Sequence, residues 1–80
     1  MGARPQHQGN YRRLCGLLRQ WRQDAQLTQR DLAARLKKPP SYAHKCEVGD
    51  RRIDPIELIA WCRACDVLPT KAIGQIEEFV

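Results

Sequence analysis

Apolar residues along this chain recur at helical spacing, and no segment shows the alternation of period two that marks a half-buried strand. From Tyr11 to Gln23 the stripe is Leu14, Leu17, Leu18 and Trp21, with arginines and glutamines elsewhere, which predicts an amphipathic helix. Gly16 falls inside that helix at a cost of about 1 kcal/mol relative to Ala, which marks it as a candidate for close helix approach. Thr28 stands three residues before Asp31 in the manner of a capping box, so a second helix is predicted from about Gln29 to Leu36. Leu32, Ala33 and Leu36 would face inward. Asp54, Pro55 and Glu57 fit the N-cap, first and third positions of another helix. Its apolar band is broad, taking in Ile56, Leu58, Ile59, Trp61, Cys62 and Cys65. A last helix is predicted over 69–79, with Ile73, Ile76 and Phe79 on one face and Lys71, Gln75 and Glu78 on others.

The stretch "KKPPSYAHKCEVG", Lys37 to Gly49, admits three readings. Two adjacent prolines suggest a loop, and His44 with Cys46 suggests a metal. The third is a short helix from Pro40 to about Glu47. Pro39 is kept out of the α region by the proline after it, whereas Pro40 suits the first position of a helix. On such a helix Ala43 and Cys46 share the inward face, while Ser41, His44 and Lys45 form an opposite polar stripe. Tyr42 lies between, its ring able to pack while its hydroxyl reaches a phosphate. A polar outer edge of this kind suits the major groove of DNA; a solvated helix face accounts for it equally well. The expected architecture is all-α: a flexible arm at residues 1–10, then one domain of five short helices at 11–80.

Charge sharpens the question without deciding it. The 80 residues carry a formal net charge of +5, 42% hydrophobic and 29% charged, ordinary values for a single small globular domain. Between Thr28 and Arg52 stand Arg30, Arg35, Lys37, Lys38, Lys45, Arg51 and Arg52 against only Asp31, Glu47 and Asp50. A basic centre favours a polyanionic partner, nucleic acid first, although an unpartnered solvated face would look the same. No apolar run approaches a membrane span and no signal peptide is evident, so a cytoplasmic location is expected. A reducing compartment disfavours disulfides among the four cysteines. "WCRAC", Trp61 to Cys65, has the spacing of a redox motif, but it falls late in a helix where the dipole opposes a thiolate. Zinc would need ligands converging from separate helices, and His44 and Cys46 point apart. Cys46, Cys62 and Cys65 therefore read as core residues. No metal, cofactor or catalytic activity is expected: the carboxylates are scattered and there is no Gly-rich phosphate loop.

"LTQRDLAARLKKPPSYAHKCEVGDRR" resembles the helix-turn-helix of the lambda-repressor and Cro-like family, the xenobiotic-response-element type. Leu27-Thr28-Gln29, Asp31-Leu32-Ala33 and Lys45-Cys46-Glu47-Val48-Gly49 occur in the family's order and spacing, and the likeness extends from about Leu14 through Pro69. It implies a lambda-repressor-like DNA-binding fold and a small bacterial or phage transcriptional regulator, a repressor, that binds double-stranded DNA sequence-specifically. Ser41, His44 and Lys45 fall where relatives read bases. Gln29 would bond a phosphate and brace the recognition helix. Lys37, Lys38, Tyr42, Arg51 and Arg52 would meet phosphates or a minor groove, and Arg22 with Glu47 would form a structural ion pair. Relatives dimerise on paired half-sites, which nominates the C-terminal helix (Ile73, Ile76, Phe79) for a homodimer contact. Two departures stand out. Lys37 replaces a turn glycine, and Pro40 replaces a glutamine that reads adenine. Ala43 and Cys46 are also smaller than the usual core residues. The same fold would serve an antitoxin-type regulator that binds a protein toxin, or a module used only for protein contact.

Overall fold

A computed structural model describes residues 3–80, with side chains from Gly9 onward. These residues form five helices: α1 (Ala3–Asp24), α2 (Gln29–Arg35), α3 (Tyr42–Glu47), α4 (Pro55–Ala64) and α5 (Pro69–Glu77). There is no strand among the described residues. Residues 3–10, expected as an arm, instead continue α1 about two turns upstream of Tyr11. Pro5 does not prevent this, because it falls in the first turn, where an N–H has no intrahelical partner. Met1 and Gly2 lie outside the described residues.

Helix starts follow local chemistry closely. Thr28 Oγ1 accepts from the Asp31 amide at 3.0 Å while an Asp31 carboxylate oxygen accepts from the Thr28 amide at 3.1 Å. Those bonds hold the Asp31 carboxyl below its ordinary range. Asp54 and Glu57 make the same reciprocal box at 2.8 and 3.0 Å, with Pro55 in the first turn of α4. The third helix departs from expectation. It starts at Tyr42, because Pro39 to Tyr42 closes a turn through the Tyr42 N–H and the Pro39 carbonyl at 2.9 Å. Pro40 holds the second position of that turn, and Ser41, at φ −85 and ψ −4, the third.

Four of the five helix ends share one device. Gln26, Lys37 and Asp66 adopt φ of 60, 57 and 59 directly after the C-caps of α1, α2 and α4. In each, the next two amides fold back on the last turn, as Lys37 does to Ala34 at 3.0 Å and Lys38 to Ala33 at 2.9 Å. Only after α3 is this left-handed residue a glycine, Gly49 at φ 85.

Leu18, Leu32, Ala33, Ala43, Cys46, Trp61 and Cys62 are completely buried, with Tyr42 and Trp21 nearly so. The small Ala43 and Cys46 leave no thin core, since the Tyr42 and Trp61 rings pack beside them, 6.2 Å apart and tilted by 47°. Trp61 donates to the Leu18 carbonyl at 3.1 Å and Trp21 to the Gln75 amide oxygen at 2.8 Å, so α4 and α5 are both tied to α1. Gly16 is exposed, and a Cβ placed there would meet nothing within 4 Å, so it marks no helix contact. The apolar band of α4 is only partly used: Ile56 stays 75% exposed, while Trp61 and Cys62 take the core. Of the α5 face, Ile76 packs on the core and Phe79 is half-buried with the Arg13 guanidinium 5.3 Å from its ring centre. Ile73 alone of the three remains exposed.

All four cysteines are reduced and buried. Burial pushes each thiol upward, Cys65 to about 11, so they are neutral near pH 7. Among the described residues no three His, Cys, Asp or Glu side chains converge as metal ligands would, and no helix is long and apolar enough to cross a membrane.

Candidate nucleic-acid interface

The second and third helices form a helix–turn–helix whose geometry is fixed by one carboxylate. Glu47, at the end of α3, accepts from Arg22 Nε at 2.6 Å, Arg22 Nη2 at 3.0 Å and Gln29 Nε2 at 3.0 Å. Arg22 also donates through Nη1 to the Leu27 carbonyl at 2.9 Å. One buried charge pair thus joins α1, the start of α2 and the end of α3, and the Glu47 hydrogen bond raises the Arg22 pKa. A group this well partnered holds register; breaking it would strand the remaining charge in a site of low polarity.

With its register set, α3 divides as its spacing demands. Tyr42, Ala43 and Cys46 are buried, and Ser41, His44 and Lys45 are exposed along the outer edge. Val48, one turn beyond His44 and Lys45, continues that edge and is 54% exposed. It is an apolar group of the kind that meets a thymine methyl, and its spacing from His44 and Lys45 is the one sign of it in the sequence. Pro40, in the turn before α3, offers no side-chain donor.

The surrounding cations separate into free and committed groups. Lys37 and Arg52 are exposed, Arg52 with its guanidinium 4.0 Å from the Tyr11 ring centre. Arg51 grips Glu57 with two bonds of 3.1 and 2.9 Å. That pairing raises the Arg51 pKa and holds the Glu57 carboxyl below its ordinary range, where the Asp54 amide also helps. Lys38 Nζ lies 3.8 Å from the same carboxylate. Arg51 and Lys38 flank the Tyr42 ring at 4.9 and 5.3 Å. Tyr42 itself is 4% exposed, and burial raises its hydroxyl pKa. Its ring belongs to the core, in one cluster with Ala43, Cys46 and Trp61. Arg51 is correspondingly an organiser of the loop between α3 and α4 rather than a free cation.

Residues 13–72 match the family described as "Helix-turn-helix domain". The chain is also similar in structure to an XRE-family like protein from Pseudomonas syringae pv. tomato str. DC3000. That likeness has a TM-score of 0.86 and 36% sequence identity, over 92% of this chain and 90% of the other. No match is found among the curated proteins. The Glu47-centred joint, the polar outer edge of a short second motif helix and these two likenesses agree, and the chain belongs to the XRE-type, Cro/CI-like family of helix-turn-helix DNA-binding proteins.

Proposed function

We propose that the protein is a sequence-specific binder of double-stranded DNA that acts as a transcriptional repressor, with α3 in the major groove. The observation that carries this reading is the clean division of α3. Ser41, His44 and Lys45 are presented outward, and the inward side is locked by Tyr42, Ala43, Cys46 and the Glu47 pair. In this reading Ser41, His44 and Lys45 contact base edges, while Gln29, Lys37, Lys38 and Arg52 meet phosphates on either side. Arg51 contributes by holding the loop that carries Arg52. Two copies would occupy paired half-sites through the face of α4 and α5. There Ile59 and Ile73 line an apolar groove of about 490 Å³.

Selection from a random duplex pool should recover a palindromic site. On that site Lys45→Ala should cost about 1–3 kcal/mol, the worth of a base contact, with a much smaller loss on unrelated DNA. An equal loss on both would make Lys45 a phosphate ligand. Affinity independent of salt would remove DNA binding from the account, since phosphate neutralisation releases counterions.

A further inference from the structure

A cleft of about 600 Å³ opens between α1 and the loop that follows α3, with Gly16, Val48 and Gly49 among its lining residues. Arg12, Arg19 and Arg52 line it. Arg12, Gly16 and Arg19 stand four and three residues apart, so they share one face of α1. Arg52 enters from the opposite wall, with Tyr11 supporting it: the Tyr11 hydroxyl accepts from the Ile53 amide at 3.0 Å while its ring lies 4.0 Å from the Arg52 guanidinium. The one acidic lining residue, Glu47, is already neutralised by Arg22 at 2.6 Å. Among the described residues neither Arg12 nor Arg19 makes an ion pair. Three arginines thus line a concave surface whose single carboxylate is already paired, a composition that suits an anion.

Gly16 keeps the same cleft open. Glycine inside a helix costs about 1 kcal/mol relative to Ala. Nothing packs against this one, since a Cβ there would find open space. The fold does not need the missing side chain, whereas the cleft gains room between Arg12 and Arg19. The cleft also begins at Val48, where the outer edge of α3 ends.

We propose that this cleft binds a phosphate group, held by Arg12, Arg19 and Arg52 over the open surface at Gly16. Its position beside Val48 makes a backbone phosphate flanking the groove read by α3 the favoured source. That assignment of source rests on the DNA-reading role of α3, and a free phosphate ester is the other supply of the same chemistry.

The test uses the full chain, the double variant Arg12→Ala/Arg19→Ala and the variant Gly16→Glu. All three are titrated with duplex DNA across a salt series and, without DNA, with pyrophosphate by calorimetry. Both variants should melt within a few degrees of the parent, because the changed positions are exposed. If DNA supplies the phosphate, duplex affinity falls about tenfold on preferred and unrelated sequences alike, and the salt slope drops by about 1. If a free ester supplies it, pyrophosphate binding weakens at least tenfold in both variants while the duplex slope holds. Either result supports the cleft as a phosphate site. An unchanged slope, with pyrophosphate binding unchanged or absent, overturns it. Should the parent fail to bind duplex at all, the DNA reading falls separately and the pyrophosphate titration decides the cleft alone.

Discussion

Lys37 shows how much one residue can carry at the join between two helices. Its φ of 57 places a side chain in a conformation that costs an L-residue roughly 1–2 kcal/mol, and it does so to close the last turn of α2. Glycine adopts that conformation freely but loses more entropy on folding. Lys37→Gly should therefore stabilise the domain by about 0.5–1 kcal/mol, seen as a rise of several degrees in melting temperature. A fall instead would mean that the lysine side chain contributes more than its backbone costs. The position was legible in the sequence, because the resemblance puts glycine there. Gln26 and Asp66 adopt the same conformation at φ 60 and 59. Nothing in their local sequence marks a left-handed residue.

Among the elements, the loop joining α3 to α4 depends on Glu57, which caps α4, pairs with Arg51 and lies 3.8 Å from Lys38. Its carboxyl is held below the ordinary value of 4.5, first by Arg51 and then by the Asp54 amide. A depressed carboxyl contributes stability that is complete above the unfolded-state value and is lost as pH falls through the folded-state value. Urea midpoints should therefore decline from about pH 4.5 downward. Glu57→Gln should show a shallower decline over the same range while being less stable at pH 7. Equal acid slopes in parent and variant would place the titrating group elsewhere. The sequence marked Glu57 as a capping residue and, through the resemblance, Arg51 as a phosphate or minor-groove contact. It could not show that the two meet, because the turn between them sets their distance.

For the whole molecule, the exposed apolar surface has shifted from where the α5 stripe alone would put it. Ile76 packs on the core, whereas Ile59, Ile73 and Ile56 are 36%, 53% and 75% exposed on α4 and α5. If that face joins two copies on a palindrome, Ile59→Asp/Ile73→Asp should weaken binding to the full site tenfold or more and leave an isolated half-site unaffected. Equal weakening on both sites would place these residues outside the dimer contact. The stripe misassigned Ile76 because a periodic face identifies which side of a helix is apolar, and the neighbouring helices decide how far around that side the core extends.

By itself the sequence determined that five helical segments follow one another, two of their N-terminal caps and the inward and outward sides of α3, but not that α1 begins at Ala3 or α3 at Tyr42. What it determined depends on spacing and on groups within a turn of one another. Its ordered motifs also carried the family resemblance. Tertiary structure alone decided that Tyr42 fills the core, that Arg51 is committed to Glu57 and that Arg12, Arg19 and Arg52 share a cleft. Each of these depends on distances between groups on different elements. Such distances are fixed by how helices pack, which local sequence does not encode.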